Sequence, residues 1–198
     1  MQLSKVCAAS VGVFLLSVAS FAGGMPGPVP PIVRKGRHTL VGELERVDTK
    51  SKRIIIKTAD GAEHAIRYTS DTAVHGLAQA GNASYLAGKE GSQVVVHYTE
   101  HGATMTAGRV DLFGHHALEA TNGTVVRVDE RAHTVVIKSE DGAEHTYYMG
   151  RDAVVDTTSG VADRADLAAK KGDHVIVYHT KRGERAVAHV VKDLESKF

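Results

Sequence analysis

From Val41 onward the apolar residues come in short runs broken by Gly, Asp, Ser and Thr, a texture that predicts strands and not long helices. The runs mark strands over Val41–Val47, Arg53–Lys57, Glu63–Thr69, Gln93–Thr99 and Thr104–Leu112, and five more at the same spacing from Asn122–Val128 to Arg185–Asp193. Between the third and fourth strand of each set, Asn82–Lys89 and Asp163–Lys171 are rich in Ala, Leu, Lys and Arg. They predict one or two helical turns, ended by Gly91 or Gly172. Five strands with a short helix between the third and fourth is the order of an OB-type barrel. The fold expected is therefore all-β with short helices: two tandem five-stranded OB-like small barrels.

The two sets are one sequence used twice. Gly42 to Asp48 (GELERVD) matches Gly123 to Asp129 (GTVVRVD), and Lys57 to His64 (KTADGAEH) matches Lys138 to His145 (KSEDGAEH), at one constant offset with no gap. A match this long without a shift implies duplication of a whole folding unit. In the hairpin between strands two and three, Ala59-Asp60-Gly61 and Glu140-Asp141-Gly142 suit a type I turn closed by a left-handed Gly. That turn sets Lys57 opposite Glu63 and Lys138 opposite Glu144 on the outer face. Ile54, Ile56, His64 and Ile66, with their counterparts Val135, Ile137, His145 and Tyr147, then share the inner face and leave a histidine near one mouth of each barrel.

Ahead of the repeats, Lys5 is followed by an apolar and small-residue stretch to Ala22, with Ser20 and Ala22 where a small-x-small cleavage site would stand. This reads as a signal peptide over 1–22 and predicts a periplasmic or secreted protein that is not transmembrane once cleaved. All four prolines follow within Pro26–Pro31, in a Pro/Gly-rich linker over 23–40. The remaining units are barrel repeat 1 over 41–113, a linker over 114–122, and barrel repeat 2 over 123–194. Leu112, Phe113 and Leu118 are the candidates to pack between the barrels, because the short connection keeps them close.

The motif series G-x-V-x-x-V-D, K-x-x-D-G and D-L-x-x-x-x-G-D-x-V-x-V is carried best by Gly123–Asp129, Lys138–Glu144 and Asp166–Val177. It resembles a family of bacterial exported domains of unknown function. The resemblance implies the barrel and export, and no activity. A looser similarity runs to the small periplasmic copper-binding OB barrels of metal-efflux systems, whose His, Met and Trp cluster has no counterpart in a sequence without Trp.

Chemistry is sparse. The one cysteine, Cys7, leaves with the signal peptide, so thiol chemistry drops out, and no catalytic motif is present. The chain is expected not to be an enzyme. The 24 basic and 23 acidic residues nearly cancel, which argues against a nucleic-acid partner, and at 5% aromatic residues stacking platforms for oligonucleotides or sugars are few. Histidine is the only excess, with 12 residues. His64, His145, His115 and His116 are the candidate ligands for Zn(II) or Cu(II), borderline metals that suit imidazole. The opposing reading makes His64 and His145 barrel caps and His115-His116 a solvated linker pair. The expected function is a non-catalytic exported binding or structural module acting through its two barrels on a protein, envelope component or small ligand. Histidine-based metal binding is the alternative, and no other cofactor is expected.

Overall fold

The computed structural model describes residues 36–76, 81–163 and 171–194. The expected signal peptide, the linker up to residue 35 and the centre of the second expected helix fall outside those residues. The first set of strands is β1 (Arg37–Asp48), β2 (Arg53–Lys57), β3 (Glu63–Arg67), β4 (Ala73–Gly76), β5 (Gly81–Asn82), β6 (Gln93–His101) and β7 (Thr104–Leu112). The second is β8 (Glu119–Asp129), β9 (Thr134–Ser139), β10 (Glu144–Thr157), β11 (Gly160–Asp163), β12 (His174–Arg182) and β13 (Arg185–Asp193).

Each set closes on itself. Antiparallel pairing runs β3-β2-β1-β6-β7, and a parallel contact between Arg67 and Thr106 joins β3 to β7. In the second set β8, β9, β10, β13 and β12 form the same ring, closed by a parallel β10–β13 pairing. Closure removes the open sheet edges that would otherwise seek partners. Alternation fills each interior. Leu44, Ile54, Ile56, Ile66, Val94, Val96 and Val110 are wholly buried in the first barrel, and Val125, Val135, Ile137, Tyr147, Val175, Val177 and Val191 are buried at the equivalent places in the second.

The hairpin register is the expected one: Lys57 faces Glu63 and Lys138 faces Glu144, with Gly61 and Gly142 both at φ +84°. Asp60 and Asp141 accept from the Ala62 and Ala143 amides and from the hydroxyls of Thr58 and Ser139. Gly42 and Gly123 answer a different need. A Cβ there would lie 2.4 and 2.3 Å from the carbonyl oxygens of Lys57 and Lys138, so only glycine lets the first two strands of each barrel bend this close. Backbone bonds outside the ladders recur too: Gly91 N donates to Leu44 O at 2.8 Å, and Gly172 N to Val125 O at 2.9 Å.

Four boundaries differ from expectation. β1 starts at Arg37 and β8 at Glu119, inside the stretches read as linkers. Their first residues pair with β6 and β12 through backbone groups, and polar side chains such as Arg37 or Glu119 hide that in the sequence. The first helix shrinks to a 3₁₀ turn, Ala83–Leu86, in which the Asn82 side chain accepts from Ser84 N. Buried Leu86 pins this turn, and Gly88 at φ +76° follows it. β10 continues as one strand through the segment whose counterpart in the first barrel is split into β3 and β4.

Candidate functional site

The barrels meet through outward-facing positions. Buried Val95 of β6, Leu118 of the connection and Val190 of β13 form a small apolar seam, with Val41, Phe113, Val154 and Tyr178 packed against it. Phe113 and Leu118 thus sit where expected, whereas Leu112 turns into the first barrel's core. Beside the seam, the first residues of β1, which pair with β6 but lie ahead of the pairing with β2, receive a side chain from β10: Asp156 Oδ2 accepts from Thr39 N at 3.0 Å and from Thr39 Oγ1 at 2.7 Å. Both residues are buried, and His38 Nδ1 stands 3.7 Å from the other carboxylate oxygen. A buried carboxylate with two donors on one oxygen fixes the orientation of the strands that carry it.

Next to this latch, outward positions on β6 and β7 carry a polar triangle. His97 Nε2 lies 2.9 Å from Asp111 Oδ2, Arg109 Nη2 lies 2.9 Å from the same oxygen, and Arg109 Nη2 is 2.7 Å from His97 Nε2. His75 of β4 approaches the second Asp111 oxygen at 3.5 Å. Burial alone would raise the Asp111 carboxyl; the His97 hydrogen bond and the charges of Arg109, His97 and His75 outweigh it and hold the group below the usual carboxylate range. Arg109 also reaches across to the carbonyl of Asp152 in the second barrel at 3.4 Å, and its Nε is buried with no hydrogen-bond partner among the described residues.

Over this triangle opens a cleft of about 450 Å³ with walls from both barrels. Arg37, Arg109 and Arg151, with His38, His97 and Tyr98, give its lining polar groups, and Ala153, Val154 and Val161 give it apolar ones. Burial, with a smaller push from Glu100 and Asp156, raises the Tyr98 phenol to about 12, so at neutral pH it is a hydrogen-bond donor. A volume of this size suits a small organic molecule. Behind it, His75, Asp111, Phe113, Asp152 and His189 border a second hollow of about 180 Å³, where Phe113 meets the His189 ring edge-on at 4.7 Å.

The histidines singled out from sequence lie elsewhere. His64 is half-buried opposite Ile56 on the inner side of its hairpin. His145 has the same register but is exposed, its Nε2 3.1 Å from Ser139 Oγ. It pairs with buried Ile137 and stands beside Tyr147, so it keeps the inner-face register while lying exposed at the end of the barrel. His115 lies against Gly91, where a Cβ would come within 2.7 Å of its Cε1, and His116 is exposed at φ 54°. Among the described residues no three His, Cys, Asp or Glu side chains converge as metal ligands.

Arg109 and Asp111, which join His97, escaped sequence reasoning because they sit on outward strand positions, which ordinarily carry solvated polar residues. The available signal was departure from the repeat: the counterparts in the second copy are Tyr178, Val190 and Lys192.

Among the described residues no helix is long and apolar enough to cross a membrane. No protein-family profile matches the chain, and no curated protein matches it. Among solved structures it is similar to the crystal structure of Ag(I)CusF, at 12% identity and a TM-score of 0.29, over 38% of this chain and 96% of that one.

Proposed function

We propose that the protein is an exported, non-catalytic binding module whose binding surface is the cleft between its barrels. One observation carries this reading: a hollow of about 450 Å³ is walled by both barrels and lined by both polar and apolar side chains, as ligand sites are. Export is supported by the signal-like run from Val6 to Ala22 and by the resemblance to bacterial exported domains. The absence of catalytic motifs supports binding over turnover. Histidine-based Zn or Cu binding has less support, since its four candidate ligands are not brought together.

Gly108 offers the test. It lines the cleft, and a Cβ there would meet nothing closer than 3.9 Å, so Gly108→Phe fills the space without straining the strand. In a fragment screen read by amide chemical shifts, binders should move Gly108, Ala153 and Val161, and Gly108→Phe should abolish those shifts. Binders that leave these residues still and survive the substitution would move the site elsewhere. Cell fractionation with amino-terminal sequencing tests export, with a mature chain starting at Gly23 as the expected result.

A further inference from the structure

We infer that the inter-barrel cleft is an anion site, which takes a small organic molecule with a carboxylate or phosphate head and an uncharged body. The inference rests on the reading of the cleft as the binding surface and adds its chemistry. Three guanidinium groups, those of Arg37, Arg109 and Arg151, line a single hollow against one carboxylate, that of Asp152. The chain as a whole carries a net charge of only +1, so this is a local excess and not a property of the surface in general.

The three arginines are not equivalent. Arg109 is held by Asp111, His97 and the Asp152 carbonyl, which fixes its planar group at the floor of the cleft before any ligand arrives. Arg37 and Arg151 are exposed at the sides and make no ion pair among the described residues. A fixed guanidinium below two unengaged ones suits an oxyanion, because guanidinium donors match carboxylate and phosphate oxygens in pairs. Tyr98 and His38 add donors to the lining. Ala153, Val154 and Val161 add apolar surface for the rest of the molecule.

The probes are benzoate, phenyl phosphate and neutral benzamide, titrated into the purified protein by calorimetry and by amide chemical shifts. One or both anions should bind at least tenfold more tightly than benzamide, with shifts at Gly108, Ala153 and Val161, and the stronger of the two names the head group. Arg37→Gln combined with Arg151→Gln should weaken the anion at least tenfold. Both side chains are exposed, so the fold survives. Benzamide binding in the cleft as tightly as the anions would overturn the anion inference and leave the cleft reading standing. Anion binding that the double variant leaves unchanged would overturn it as well. Failure of every probe to shift cleft residues would overturn both.

Discussion

The two barrels share their interiors and differ on their outsides, and the difference shows where each has been put to use. Ile56 and Ile137 are both wholly buried, Val94 and Val175 nearly so, and Gly42 and Gly123 allow the same close approach. On the outer face the equivalents part company. Where the first barrel has Arg109 and Asp111 in a charged triangle, the second has Val190, wholly buried in the seam, and exposed Lys192. Where the second has Asp156 latched to Thr39, the first has His75 near the surface. The first barrel thus supplies the polar floor of the cleft, and at the equivalent positions the second supplies Val190 to the seam they share and the carboxylate of the latch that holds the pair together. A repeated fold needs the same core twice, whereas an interface between two copies needs different residues on each, because the two patches meet in a heterologous contact.

This comparison can be broken most forcefully by exchanging one residue for its counterpart. Val190→Arg puts the first barrel's charge into the buried seam among Val95, Leu118 and Phe113, and should cost about 4 kcal/mol in denaturant unfolding. The reciprocal Arg109→Val should cost only about 1 kcal/mol, since His97 and His75 remain to satisfy Asp111. Equal effects from the two exchanges would mean that the outer faces are not specialised. The interior should behave in the opposite way. Ile56→Ala and Ile137→Ala each remove a fully buried side chain from the same place in its barrel, so both should lose about 3 kcal/mol. A large disparity between them would show that the cores are not energetically equivalent.

The latch gives a smaller effect. Asp156→Ala leaves the buried Thr39 amide and hydroxyl without an acceptor and should cost about 2 kcal/mol. Its counterpart His75→Ala, on a side chain that is 47% exposed, should stay within about 0.5 kcal/mol.

The fold was legible because its determinants are local or periodic. Alternation located the strands, the Asp-Gly turns set the hairpin register, and the unbroken repeat required that whatever Gly42 does, Gly123 does also. The strand starts at Arg37 and Glu119 were hidden because backbone pairing places no demand on side-chain polarity. The site was not legible for a related reason. His97, Arg109 and Asp111 come together through pairing between neighbouring strands, but what turns them from a solvated face into the floor of a cleft is the second barrel, and nothing local to either strand encodes that docking. Counting histidines pointed instead to His64, His145, His115 and His116, which have register or adjacency in common but no shared centre.

Acid should separate the barrels last and most finely. The two histidines whose imidazoles are pushed down by burial, His179 and His189, both belong to the second barrel. His179 is 4% exposed, with Tyr147 against its ring and Thr121 on its Nε2; His189 is held by Thr180 at 2.9 Å and by Phe113. As the pH falls below about 6.5 the unfolded chain takes up protons at these positions that the folded chain resists. Stability is therefore lost as the pH drops from there toward the folded values, with no further loss from these groups once they are protonated in both states. In the first barrel Asp111 is held low, so its contribution persists through this range and disappears only in stronger acid, below the ordinary carboxylate value of 3.8. Hydrogen exchange at pH 7.5 and 5.5, corrected for intrinsic rates, should show protection falling at Val135 and Val175 while Ile54 and Val94 hold. Replacing both histidines with Gln should level the difference. Equal loss in both barrels would mean that the seam and the Asp156 latch bind them into one cooperative unit, strong enough to share a proton taken up on one side.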